Sequence, residues 1–488
     1  MAITAAELEK IREQLFLVQV GTELALPKNT VDAHGSNDPM VTALDQMMDG
    51  LTSAPDMSIP RRWEDVGVGV VNFTKDPKNP TVWLHNGEKI WRVASTGKIS
   101  VLLSAVQLRD DVRLVKEVTG STDPAEYDRL FANPDLWRPT SVFGLGVLVR
   151  NREITGGSKP KTAARHCPRP SSIFDLTKDP VDFRGPEITT AAAKIAVAKK
   201  LGWKASKPTA SARIKDHMPA DLTWPQVSQY DFSELLWLMG DLSDNVAATA
   251  CISEIGVAYI KAVQRAYGLY QENTDARLLL AEGYDSNLTT SVHIHGASSN
   301  LRPLTDRETN DVIDALRTKG KEGSTEPTDY TDQKSAQAGT ATALLAYLIA
   351  LMQNQLVSSR KTPGRDNGAL ACETIRQNLS PGPFTQSGQG FPGTRSSIID
   401  AIAGLPGDPG AVPPVPAVPG VAKVTKQLSK IGLLLQGEMG VGLSCEFAHL
   451  ETENSSGKKL QYGVVVTGIR NNIEHDLATR IHSTLLAL

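Results

Sequence analysis

Apolar positions along the 488 residues fall into three regimes, two of strand type at the ends and one of helical type between. Near the amino end Leu8, Ile11, Leu15 and Leu17 recur at close to helical spacing, and residues 40–51 offer a second short helix. The run VGVGVVNF at 66–73 is rich in β-branched residues and predicts a strand. The turn sequence KDPKNP at 75–80 separates it from a second strand at 81–85, which runs into Asn86-Gly87. The carboxyl end mirrors this, with strands expected at 430–435, 443–450 and 461–467. A closing helix follows, in which Ile473, Leu477, Ile481 and Leu485 stand four apart. The middle is mostly helical, clearest at 232–239, 247–269 and 340–356, and the Pro-rich tract at 405–419 reads as an exposed connector.

Neither end has strands enough to bury a sheet face alone. The expectation is therefore an α/β chain of the α+β kind. One antiparallel sheet is built from both chain ends and flanked by terminal helices, with a large helical lobe inserted between. The units implied are 1–94 and 428–488 as the two parts of the α/β domain and 95–427 as the enlarged helical domain.

Composition narrows the function by exclusion. Fifty-one basic against 54 acidic side chains leave a net charge of −3, so no global field draws the chain to nucleic acid. The basic stretch from Lys194 to Lys215 reads as a solvated helical face and loop. No apolar run approaches the roughly 18 residues that a membrane span needs. Glu7, Glu9, Lys10, Arg12 and Glu13 interrupt the first segment, which is an amphipathic helix and not a signal-peptide core. A soluble protein is expected, cytoplasmic or exported with its signal already removed. Cys167, Cys251, Cys372 and Cys445 are too scattered for a zinc site or a disulfide framework, and the redox compartment stays open.

Three short elements carry chemistry. Ser95-Thr-Gly-Lys98 opens an apolar segment, and on a helix residues three apart share a face, so a hydroxyl and an amine become neighbours. Such a lysine accepts the serine proton once burial or nearby positive charge lowers its pKa. The same spacing recurs at Ser158/Lys161 and Ser358/Lys361, so the pattern alone is weak. Ser243-Asp-Asn245 occurs once, between two helical stretches, where Ser243 and Asp244 would also serve as N-caps. Lys430-Ile-Gly432 opens the first C-terminal strand. His293-Ile-His295 would turn two imidazoles to one strand face, but no third ligand stands nearby. Gly67-Val-Gly69 and Gly144-Leu-Gly146 are too short for a dinucleotide loop. No metal and no cofactor are expected.

Taken in this order, the three elements resemble those of the serine β-lactamase and penicillin-binding-protein superfamily, closest to its class A β-lactamase-like branch. Residues 231–256 are similar to that family's S-D-N helix pair along their whole length, and 339–348 and 398–406 to its later helices. Segments 110–222 and 273–323 lie outside the resemblance. It implies Ser95 as the nucleophile, Lys98 as its general base, Ser243 as a proton relay and Lys430 as the charge that keeps the relay poised. It also implies that Asn245 holds the substrate amide and that the backbone N–H groups of Ser95 and Leu433 form an oxyanion hole beside Gly432. Ile431 stands where the family usually has a hydroxyl for the substrate carboxylate, which disfavours penicillins. Glu326, ahead of Pro327, is the candidate for deacylation. The expected activity is hydrolysis of an amide or ester, with a β-lactam, peptide or ester as substrate. The alternative is a catalytically weak binding or scaffold protein that keeps the fold.

Overall fold

The computed structural model describes residues 3–15, 24, 26, 31–32, 38–52, 66–89, 91–132, 146–154, 167–202, 222–269, 278–280, 288–295, 301–303, 337–356, 367–380, 398–399, 402, 421–434, 443–454, 456–470 and 474–488. In chain order α1 (Ala5–Gln14), β1 (Val31–Asp32) and α2 (Pro39–Thr52) lead to strands β2 (Gly67–Asn72), β3 (Thr81–His85) and β4 (Trp91–Arg92). A 3₁₀ turn, Ala94–Lys98, passes into α3 (Ile99–Thr119). Strand β5 (Gly146–Ile154) and helices α4 (Ala191–Lys200), α5 (Phe232–Gly240), α6 (Asn245–Ile255) and α7 (Val257–Ala266) follow. Next come β6 (Leu278–Leu280), β7 (Leu288–His295), β8 (Leu301–Pro303), β9 (Gln337–Gly339), α8 (Ala341–Met352) and α9 (Asn367–Leu379). Strands β10 (Val421–Leu434), β11 (Leu443–Asn454) and β12 (Lys459–Arg470) and helix α10 (Glu474–Ala487) close the chain.

The two ends do make one sheet, in the order β1-β3-β2-β12-β11-β10, antiparallel except for the short β1–β3 pairing. Its seam is β2 on β12, where Val68 sits opposite Val466 and Val70 opposite Val464. Strand β2 is buried on both faces, which is why its valines run on without polar alternation. Val68 and Val70 meet the layer of Met40, Leu44 and Met48 from α2 and Leu477 and Ile481 from α10, whereas Val71 faces the helical lobe. The expected flanking by terminal helices holds for α2 and α10. Helix α1 departs from it, because Ile11 and Leu15 join the lobe core against α3.

Helix α3 is buried around its whole circumference from Ile99 to Val115. Its charged residues are therefore matched: Arg109 pairs with Asp182 at 2.9 Å, and Arg113 donates to the Val181 carbonyl at 2.6 Å. The expected single helix at 247–269 is broken at Gly256, whose φ of 85° only glycine adopts freely, giving α6 and α7. The middle is not helical alone. The two segments outside the family resemblance meet in a three-stranded sheet, β8-β7-β5, where β5 from the first pairs with β7 from the second. A further small sheet, β4-β9-β6, lies against the 3₁₀ turn. Strand β10 begins at Val421, so Lys430 lies late in the strand and not at its entry.

Candidate active site

The turn that carries Ser95 is tied down by backbone and by its neighbour Thr96. Ala94, just before the serine, has a φ of 42°, a left-handed conformation that a non-glycine residue adopts at a cost and that packing must enforce. The Thr96 hydroxyl donates to the Cys445 carbonyl at 2.9 Å and to the Lys430 carbonyl at 3.4 Å, docking the turn on β11 and β10. Gly432 allows this approach. A Cβ there would lie 2.1 Å from Val93 O and 2.9 Å from the backbone nitrogens of Ser95 and Thr96. The third motif is thus pressed against the backbone of the first. Ser95 itself is half-buried, while Thr96, Gly97 and Lys98 are buried.

Lys98 joins the first motif to the second. Its Nζ donates to the Ser243 carbonyl at 2.5 Å, to Asn245 Oδ1 at 2.8 Å and to Ser243 Oγ at 3.3 Å. An unpaired ammonium in this position would cost several kcal/mol, so the second motif is what makes a fully buried Lys98 tolerable. The loop is held for the purpose. Ser243 takes a left-handed φ of 58°, and Asp244 caps α6, its Oδ1 accepting from Ala247 N at 2.7 Å and its Oδ2 from Leu222 N at 2.9 Å. The capping and active-site readings of this motif are therefore compatible, with Asp244 doing the first. Ser243 is half-buried and Asn245 exposed, beside the buried Lys98 ammonium.

Lys430, buried on β10, reaches the end of α5. Its Nζ donates to Gly240 O at 2.9 Å and Met239 O at 3.3 Å, a cation on a helix C-terminus just before Ser243 in the chain. Its hydrogen bonds go to these carbonyls and not to the Ser243 hydroxyl. Burial draws its pKa down to about 7, while Asp241 pulls the other way. Strand alternation puts Lys430 and Gly432 on one face of β10 and Ile431 on the other, buried and opposite Glu446. Leu433 follows within β10. Glu326 lies outside the described residues.

Two residues of this neighbourhood escape the sequence reading. Lys194 is not solvated; it is buried and stands 3.8 Å from Asp241. Asp241 directly follows the apolar run LLWLMG at 235–240, and an acid at the end of such a run is the signal that would have found it. His293 and His295 lie on β7. Among the described residues no group of three or more metal-ligating side chains stands together, and no helix is long and apolar enough to cross a membrane.

A model described as the beta-lactamase enzyme family matches residues 193–363, the stretch that contains Ser243 and Asn245. The superfamily read from the motifs is the one this match gives. Among solved structures, the chain aligns with PBP-A at 10% identity and a TM-score of 0.35, covering 95% of this chain and 100% of that one. It aligns with a representative of class A beta-lactamase from Bacteroides cellulosilyticus at 12% identity and a TM-score of 0.36, over 92% and 96% of the two chains. A beta-lactamase from Sphaerobacter thermophilus aligns at 12% identity and a TM-score of 0.36, over 92% and 95%. No curated protein sequence matches.

Proposed function

We propose that this chain, a relative of the serine β-lactamase and penicillin-binding-protein superfamily, is a serine hydrolase that forms an acyl-enzyme on Ser95 and hydrolyses an amide or ester. One observation carries the reading. The buried Lys98 ammonium is held by Ser243 and Asn245 at 2.5–3.3 Å, one turn of chain from a half-buried Ser95.

Lys98 in its neutral form takes the Ser95 proton as Oγ attacks the acyl carbonyl, and hands it on to Ser243. The carbonyl electrons move to oxygen, between the N–H groups of Ser95 and Leu433, where fixed donors favour the developing charge. Ser243 passes a proton to the departing nitrogen or oxygen, and Asn245 holds the substrate amide. Lys430, charged at the end of α5, keeps the relay poised. Water then releases the acyl group, with Glu326 as its activator. The α/β unit is taken as 1–94 with 428–488, and the helical unit as 95–427. Substrates are small-molecule or peptide acyl compounds.

Intact-protein mass spectrometry tests this directly. Incubation with a fluorophosphonate and with benzylpenicillin is expected to add covalent mass at Ser95, absent in Ser95→Ala. A folded protein that takes up neither probe would overturn the hydrolase reading in favour of a binding protein that retains the fold.

A further inference from the structure

Two helix ends that electrostatics would keep apart meet beside the candidate site. A Cβ on Gly240 would lie 2.4 Å from Asn378 O, so the last turns of α5 and α9 are in contact, carbonyl end to carbonyl end. Each end carries about half a negative charge. Asp241 adds a full carboxylate, its side chain 4% exposed and fixed by Trp237 Nε1 at 2.9 Å. Two buried lysines answer these charges. Lys430 donates to the α5 end, and Lys194 donates to Gln377 O at 3.2 Å and Ser380 O at 3.0 Å, beside Asp241.

We propose that Asp241 and Lys194 are positioning residues that set the charge on Lys430, the one as its counter-ion and the other as a rival for that counter-ion. The consequence for acylation rests on the hydrolase reading; the charge balance does not. The ionisable groups on the elements packed around Lys430 are few. They are Asp241 at the end of α5, Lys98 at the end of the serine turn, Cys445 and His449 on β11, and Glu373 and Arg376 on α9, which pair with each other at 3.0 Å. Asp241 is the one that opposes the effect of burial on Lys430. Burial likewise disfavours the charge on Lys194, and Asp241 again works against that effect without cancelling it. One carboxylate thus stands 3.8 Å from Lys194 and directly follows Gly240, whose carbonyl holds Lys430. Neutralising it makes Lys430 easier to deprotonate, and removing Lys194 makes it harder.

The test uses the full chain as wild type, Asp241→Asn, Asp241→Glu and Lys194→Met, each checked for folding by circular dichroism. Lys430 is titrated by NMR in protein carrying carbon-13-labelled lysine, its resonance assigned by its loss in Lys430→Met. Acylation rates with the serine probes are followed over the same pH range. The Lys430 midpoint is expected to fall by about one unit or more in Asp241→Asn, to return in Asp241→Glu and to rise in Lys194→Met. The alkaline limb of acylation should move with it. A role in stability alone would move neither midpoint. A Lys430 midpoint unchanged in folded Asp241→Asn, or unchanged in Lys194→Met should Asp241→Asn fail to fold, overturns the proposal. Midpoints that shift as expected in a protein that no probe acylates would uphold the charge balance and remove the hydrolase reading.

Discussion

Lys98 and Asn245 are 147 residues apart in the chain, and the ammonium of the first donates to the amide oxygen of the second at 2.8 Å. The contact closes the floor of the candidate site. It links the helix that begins after the serine turn to the one that begins after Ser243, and it joins a buried cation to an exposed amide side chain.

Lys98→Met is expected to keep the fold, because an apolar chain of similar length replaces a buried charge without leaving the cavity empty. Acylation should fall roughly 10²–10⁴-fold, the usual contribution of a general base. Single-turnover labelling of Ser95 beside a thermal melt separates the two effects. A loss of melting temperature matching the loss of activity would point to a structural lysine.

Gly432→Ala should damage the site more than the fold. The new methyl would sit 2.1 Å from Val93 O, so β10 and the serine turn must separate. Overpacking of this kind costs about 1–3 kcal/mol. Gly50→Ala is the control, since a Cβ there meets nothing within 4 Å. Denaturant melts and labelling rates are expected to show Gly432→Ala impaired in both and Gly50→Ala in neither.

Lys430 is expected to supply an alkaline limb. Its pKa of about 7, set by burial against Asp241, means that the charge is lost as pH rises through neutrality, and acylation that needs the charge falls with it. Lys430→Arg keeps a cation at every accessible pH. The pH profile of this variant should lose the limb, whatever its absolute rate. A limb that persists belongs to another group.

Ile431→Thr tests which face of β10 matters. The sequence alone suggests that a restored hydroxyl would improve β-lactam acylation. Ile431, however, is 3% exposed and opposite Glu446, on the face away from Lys430 and Gly432. The expected outcome is now a modest loss of stability with no gain in nitrocefin acylation. Rapid nitrocefin turnover by the variant would show that the residue reaches the substrate.

Acid should loosen the sheet from its outer helices. His482 accepts or donates at 2.6 Å to the Tyr462 hydroxyl and is buried, which lowers its pKa to about 4; His449 is lowered to about 3, first by burial and then by Lys426 and Arg376. Both stay neutral in the folded chain while the unfolded chain takes up protons below about pH 6.5. Their contribution is complete above that pH and declines as pH falls towards 4, for His482 by about 3 kcal/mol. Melting temperature against pH is expected to fall less steeply in His482→Gln than in the wild type.

The fold was legible because each end of the chain declares strands that cannot bury a sheet face alone. Val68, Val70, Val464 and Val466 needed partners, and each end supplied the other's. The motifs were legible because Ser95, Lys98, Ser243, Asn245 and Lys430 stand in a fixed order with short spacings that local geometry can use. Periodicity shows that a face is buried, however, and not what it is buried against. That is why Ile11 and Leu15 could be placed on a helix but not on α3, and why Lys194 looked like one more surface lysine until the ends of α5 and α9 closed around it. The pairing of β5 with β7 was hidden for the same reason, since strands 134 or more residues apart share no local signal. Hydrogen bonds such as Lys98 to Asn245, and the approach of Gly432 to the serine turn, exist only once the sheet has joined the ends and the lobe has folded onto it. The sequence by itself determined which groups the candidate site offers; the tertiary structure decided which of them are desolvated, and desolvation bears on the charge each one carries.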